Sequence, residues 1–201
     1  MKRFDCLKIL ASIIDKNTIV VANVGPISRE WNALRPSDAN LLQVNLGLCA
    51  AVGLGVSVCL PNRKVVLLDG DGNLLLNLAS LADMANQNLG NTVHIVLDNE
   101  AYEGGGGLKS ATAGKADLSA IARGAGVPDS AVVRTLEEFE SKARESIGNH
   151  GHHFIVAKVD KGSVENLPTL TLDGKEAKYR FARYIEKSEG VQILRPRYSH
   201  I

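Results

Sequence analysis

Apolar residues along this chain follow two spacings that alternate, one helical and one extended. Phe4, Leu7, Leu10, Ala11 and Ile14 recur at helical intervals, and residues 18–22 then form a short β-branched run ending near Gly25-Pro26. A helix followed by a strand is expected there. Residues 23–45 keep neither period and read as a long loop, and structureless stretches of that length usually lie along a site. Residues 46–59 are apolar almost all round and rich in small side chains, which predicts a buried helix packed closely on a sheet, stopped by Pro61-Asn62. Residues 64–69 and 92–98 are continuous apolar runs, as in parallel strands covered on both faces. Between them, residues 73–87 place Leu74, Leu78, Leu81 and Ala85 on one helical stripe.

The second half repeats the alternation. Residues 99–115 contain Gly104 to Gly107, whose ordering entropy predicts a loop that is mobile until something binds. Helices are expected at 117–123 and 136–147, a last strand at 154–159, and a peripheral helix at 176–188 in a more polar tail. Strands alternating with helices define an α/β fold, a doubly wound and mostly parallel sheet with helices on both faces. The expected division is a ligand-binding domain over residues 1–160 and a C-terminal extension over 161–201.

Composition narrows the classes of partner. With 201 residues, 45% of them hydrophobic and 22% charged, the chain is long enough for one full core. A formal net charge of +1 without a basic run gives no footprint for nucleic acid or an anionic membrane. Cys6, Cys49 and Cys59 lie in apolar helical patterns without metal-ligand spacing, as expected of reduced core thiols. The first residues carry charges within their apolar stretch and lack a cleavage site, and no apolar run reaches spanning length. The expectation is a soluble, cytoplasmic protein.

The candidate chemistry sits at two strand ends. Gly70-Asp71-Gly72-Asn73 closes the strand at 64–69, and Asp98-Asn99-Glu100-Ala101-Tyr102 closes the next. Ligands of doubly wound sheets bind at the carboxyl ends of strands, where Asp71 and Asn99 both fall. Free N–H groups at a helix start attract phosphate, and an Asp, an Asn and a main-chain carbonyl suit magnesium, which shares its oxygen ligands with phosphates. Asp71 as a helix cap and Asn99 as a turn residue is the competing structural reading. His150, His152 and His153 read as a polar loop before a metal site, and His94 as a core histidine before a site residue. Ser28-Arg29-Glu30 is open between a solvated turn, a subunit contact and a ligand contact; Glu103 and Lys109 flank the glycine run as the ends of a possible lid.

These residues resemble a known family. Gly70-Asp71-Gly72-Asn73 followed by Asp98-Asn99-x-x-Tyr102 is similar to the thiamin-diphosphate motif of thiamin-dependent decarboxylases and ligases. Gly25-x-x-Ser28-Arg29-Glu30, the Asn45-Leu46-Gly47-Leu48 turn and Leu60-Pro61-Asn62-Arg63 resemble sulfopyruvate and phosphonopyruvate decarboxylases, and the length resembles their separate beta subunits. The chain departs from that type at Pro26-Ile27, where Lys-Thr is usual, at Leu41-Leu42-Gln43, where Phe-Tyr-Met is usual, and at Glu103, where glycine is usual.

The resemblance implies thiamin diphosphate and magnesium as cofactors. Asp71, Asn99 and the carbonyl of Ala101 would hold the metal, and Gly70, Gly72, Asn73, Tyr102 and Glu103 would line the diphosphate side. Leu46 would prop the cofactor in a bent shape, and the Val44 carbonyl would accept from its aminopyrimidine. The implied reaction is decarboxylation of a small 2-oxo acid, with the cofactor as electron sink. Such enzymes also need a glutamate from a pyrimidine-binding domain, for which this chain has no room. An alpha-type partner subunit carrying it is therefore expected, in a hetero-oligomer of α2β2 or larger. Alternatives are a thiamin-dependent carboligase or lyase subunit for another 2-oxo acid, and a non-catalytic regulatory or interaction subunit. A dinucleotide dehydrogenase fits poorly, because no Gly-x-Gly-x-x-Gly follows the first strand.

Overall fold

The computed structural model describes residues 1–194. In chain order its strands are β1 (Ile19–Asn23), β2 (Asn40–Val44), β3 (Val65–Gly70), β4 (Asn91–Asp98), β5 (Ala101–Tyr102), β6 (Leu108–Lys109), β7 (Asp129–Val133) and β8 (Gly151–Lys158). The helices are α1 (Arg3–Ile13), α2 (Pro26–Leu34), α3 (Cys49–Cys59), α4 (Asp71–Leu75), α5 (Ala79–Asn86), α6 (Leu118–Ala125), α7 (Leu136–Gly148) and α8 (Gly174–Glu189). Six strands form one sheet in the order β2-β1-β3-β4-β8-β7, every neighbouring pair parallel, while β5 and β6 make a separate hairpin. Leu7, Leu10, Ile27, Trp31 and Phe139 from α1, α2 and α7 cover one face. On the other, Cys49, Leu81, Met84, Leu118 and Ile185 come from α3, α5, α6 and α8. The expected doubly wound fold is present.

The departures have local causes. Residues 23–45 are not a loop but α2 and β2. Ile27, Trp31 and Leu34 do keep helical spacing, but Ser28 and Glu30 between them are fully buried polar residues that hide the stripe. β2 opens on Asn40, buried because its Oδ1 accepts the Trp31 indole N–H at 3.1 Å. The single helix expected at 73–87 breaks into α4 and α5 around Leu76, which is 58% exposed. β7 carries no apolar run, because it is a half-exposed edge strand.

Two further expectations are corrected. α3 is not buried all round: Cys49, Ala50, Gly53 and Ser57 face the sheet, while Val58 and Cys59 are exposed. Cys59 is thus not a core thiol, unlike Cys6 and Cys49. The helix comes close because Gly53 has no Cβ; one placed there lies 2.2 Å from Leu67 Cδ2. β8 begins at Gly151 and not at Phe154, so His152 and His153 belong to the sheet and not to a polar loop. Among the described residues no helix is long and apolar enough to cross a membrane. The tail helix α8 packs along β2 with Ala177, Ala182 and Ile185 buried.

His152 gives the fold an acid-sensitive point. It is 4% exposed, and neither ring nitrogen has a hydrogen-bond partner. Burial, with the nearby His94 and His153 rings, pushes its pKa from 6.5 down to about 3. Between those values the unfolded chain binds a proton that the folded chain refuses, so stability falls as pH drops through that window by about 1.4 kcal/mol per pH unit. Urea unfolding at pH 7 and pH 5 should differ by about 2 kcal/mol from this residue alone, and His152→Leu should remove that part of the slope. An unchanged slope in the variant would refute the assignment.

Candidate functional site

The site assembles where β3 and β4 end. The two strands pair in register, with Asp69 opposite Val96 and Gly70 opposite Leu97, so Asp71 and Asn99 leave the same edge of the sheet. Asp71 is 2% exposed, and its Oδ2 accepts hydrogen bonds from the hydroxyls of Ser110 and Thr112. Thr112 Oγ1 also lies 2.7 Å from Asp98 Oδ1, and its single proton serves one carboxylate at a time. Asp98 is held from the other side by Lys158 Nζ at 2.7 Å. Burial raises the Asp71 carboxyl above its ordinary range; the Ser110 hydroxyl opposes the rise and the charge of Asp98 adds to it. Two buried carboxylates thus share one lysine and two hydroxyls, a field that favours a further cation.

Asn99, just past the end of β4, and Ala101, the first residue of β5, close the cluster. Asn99 is 7% exposed, and its Oδ1 accepts the Ala101 N–H at 3.1 Å. Tyr102 then lays its ring on the Gly72 turn: a Cβ at Gly72 would lie 2.5 Å from Tyr102 Cδ1. Only glycine permits that approach. The β5–β6 hairpin carries the glycine run away and returns it to Ser110.

Asn73 ties this turn to the second expected part of the site. Its Nδ2 donates to Asp69 Oδ1 at 2.5 Å, and its Oδ1 accepts the Gly47 N–H at 2.7 Å. Gly70 N also donates to Asp69, whose second oxygen lies 3.2 Å from His94 Nε2. His94 is fully buried, so it supports the turn from within the core. The Gly47 turn leaves Leu46 64% exposed. The Val44 carbonyl accepts the Val24 N–H at 2.7 Å, which occupies one of its two lone pairs. Gln43 before it has φ 58°, an unusual conformation for a non-glycine residue.

Glu103 lies elsewhere. Its carboxylate accepts from Arg3 Nη1 at 2.9 Å and from the Gly162 N–H. Ser28-Arg29-Glu30 is not a solvated turn: Ser28 Oγ bonds the Asn23 carbonyl at 2.7 Å, and Glu30 holds Arg3 through two bonds of 2.9 Å. His150 is exposed, while His152 and His153 alternate along β8 and point to opposite faces. Among the described residues no group of three His, Cys, Asp or Glu side chains is placed to hold a metal. A centre made of one Asp, one Asn and a main-chain carbonyl is of a different kind.

Several residues were missed in the sequence. Asn23 ends β1 beside Gly70, and its buried Oδ1 has no partner. An asparagine closing an apolar strand at the carboxyl edge was an available signal. Ser110, Thr112 and Lys158 gave none, since they reach Asp71 and Asp98 only through the tertiary fold.

A parallel sheet with Gly-Asp-Gly and Asn-x-x-Tyr turns meeting at its carboxyl edge is the arrangement that the resemblance to thiamin-dependent enzymes led us to expect. Residues 29–157 match the family described as thiamine pyrophosphate enzyme, C-terminal TPP binding domain, and the chain belongs to that family. It is 31% identical over 192 residues to the sulfopyruvate decarboxylase subunit beta of Methanocaldococcus jannaschii, covering 93% of this chain and 98% of that one. It is 30% identical to the phosphonopyruvate decarboxylase of Streptomyces viridochromogenes, covering 91% of this chain and 46% of that protein. Among solved structures, the benzoylformate decarboxylase of Polynucleobacter necessarius shares the fold with a TM-score of 0.67 at 21% identity. That likeness covers 82% of this chain and 34% of the other.

Proposed function

We propose that this chain is the diphosphate-binding subunit of a split, thiamin-diphosphate- and magnesium-dependent 2-oxo acid decarboxylase of the sulfopyruvate and phosphonopyruvate type. One observation carries the metal half of the reading: Asp71 is a buried carboxylate compensated only by hydroxyl donors, beside a second carboxylate. Such a group fits a hard cation and the phosphate oxygens that accompany it. Asp71, the Asn99 amide oxygen and the Ala101 carbonyl would hold magnesium, and the Gly70–Asn73 turn would meet the diphosphate through its N–H groups. Asn23, whose amide NH2 lies next to Gly70 and whose buried Oδ1 has no partner, would donate to the bound phosphate oxygens.

When bound, the cofactor supplies the electron sink for loss of carbon dioxide from a 2-oxo acid. The residues of this chain anchor and orient it. Asn73 couples the diphosphate turn to the Gly47 turn, so Leu46 and the Val44 carbonyl keep a fixed distance from the metal end. The activating glutamate would come from an alpha-type partner subunit with a pyrimidine-binding domain. The beta-subunit relative of matching length supports that division, as does the larger relative of which this chain spans under half.

The test is reconstitution. The purified chain with thiamin diphosphate and magnesium should release no carbon dioxide from sulfopyruvate or phosphonopyruvate, and should do so once its alpha-type partner is added. Turnover by the chain alone would refute the split site. A mixture that binds the cofactor but decarboxylates neither acid would refute the substrate class.

A further inference from the structure

The two halves of the proposed metal shell leave different strands: Asp71 follows β3, while Asn99 and Ala101 follow β4. Strand pairing fixes where each half begins, but not how far apart the ligand atoms stand. One residue is bonded to both halves. Ser110 comes directly after β6, which pairs with β5 so that Lys109 faces Ala101. The Ser110 N–H donates to the Glu100 carbonyl at 3.2 Å. Glu100 lies between Asn99 and Ala101 and has φ 61°, an uncommon backbone conformation outside glycine. The Ser110 hydroxyl then crosses to the other half and donates to Asp71 Oδ2.

Ser110 and Thr112 are each 5% exposed, and their hydroxyl oxygens lie 2.8 Å apart. Thr112 Oγ1 is 2.7 Å from Asp98 Oδ1 and 3.2 Å from Asp71 Oδ2, so its one proton serves the nearer Asp98 and Ser110 is the closer donor to Asp71. Both hydroxyls meet Asp71 at Oδ2. Oδ1 accepts no hydrogen bond among the described residues, although the side chain is 2% exposed. A carboxylate held by one oxygen cannot turn about its Cβ–Cγ bond without breaking that hold, so its other oxygen is aimed. We propose that Ser110 is a positioning residue: it grips Asp71 by Oδ2, leaves Oδ1 as the oxygen offered to the metal, and sets the distance from Asp71 to the Asn99–Ala101 turn. The proposal rests on the magnesium reading above. It also ties the glycine run to the site. That run is clasped at its start, where Glu103 accepts from Arg3 Nη1 at 2.9 Å and from the Gly162 N–H, and at its return by Ser110 on Asp71.

The test reads metal preference, not turnover. Thiamin diphosphate binding to the full chain is followed calorimetrically while magnesium or calcium is titrated in, for wild type, Ser110→Ala and Ser110→Thr. Removing a partner that orients a metal ligand typically weakens metal binding about 10- to 100-fold. Ser110→Ala should raise half-saturating magnesium by about 10-fold and calcium by less, because calcium tolerates loose geometry and magnesium does not. Ser110→Thr, which keeps the hydroxyl, should recover most of the loss. Thermal unfolding without metal should find Ser110→Ala folded, since the pairing of β5 with β6 and the bond to Glu100 run through the main chain. A magnesium requirement of Ser110→Ala within twofold of wild type, or an equal loss for both metals, overturns the positioning role. A Ser110→Ala chain that does not fold overturns it too, because the hydroxyl is then a tie of the fold. Wild type that binds the cofactor equally well in chelator overturns the magnesium reading itself, and this role with it.

Discussion

Asp71→Ala should abolish magnesium-dependent binding of thiamin diphosphate, weakening it by at least about 100-fold, while leaving the chain folded. Loss of a residue that only orients a metal ligand already costs about 10- to 100-fold, and loss of a ligand itself should cost more. The fold should survive because Asp71 is a desolvated charge with no cationic partner of its own. Removing a buried charge that no cation balances relieves a cost that its hydroxyl partners offset only in part. Thr112 keeps Asp98 as an acceptor, and Ser110 keeps Thr112 at 2.8 Å. Calorimetry with magnesium and with chelator, beside thermal unfolding of the empty protein, separates the two effects. An unfolded variant would make Asp71 a structural cap, as the competing reading of the sequence held. An intact variant with undiminished binding would remove the metal assignment.

Gly72→Ala should also be damaging, less severely and by a different route. The added methyl would lie 2.5 Å from Tyr102 Cδ1 and 2.7 Å from Cε1, so the ring must move. Tyr102 directly follows Ala101, and its displacement drags the carbonyl proposed for the metal and the start of the β5–β6 hairpin. Overpacking of this kind typically costs about 1 to 3 kcal/mol of stability, and the accompanying loss in cofactor affinity should reach about 10-fold or more. The cause can be isolated with a double-mutant cycle. In a Tyr102→Ala background the methyl has room, so the same glycine substitution should cost much less. Additive effects would place the damage in the turn's backbone and not in its contact with the ring.

The parts of this site that were legible in the sequence are those encoded by neighbouring residues. Gly70 to Asn73 and Asp98 to Tyr102 each follow a continuous apolar run, and a parallel sheet brings successive strand ends to one edge, so their meeting followed from topology alone. The illegible parts are those where buried polarity mimics a loop. Ser28 and Glu30 look solvated until Arg3, 27 residues from Glu30, is seen to bind it. The clasp on Glu103 spans 100 residues to Arg3, and Ser110 reaches back 39 residues to Asp71. No local spacing records such pairings. The edge strand β7 was invisible for the opposite reason, since half-exposed positions need no apolar run.

On the reading proposed above, this chain holds a magnesium-bound diphosphate through Asp71, Asn99 and Ala101, and leaves the rest of the cofactor to a partner. Competition between inorganic diphosphate and thiamin diphosphate for the purified chain, in magnesium and then in chelator, tests it most directly. Each ligand should displace the other at one site per chain, and chelation or Asp71→Ala should release both. Thiamin diphosphate that stays bound in chelator, or that magnesium diphosphate cannot displace, would contradict it.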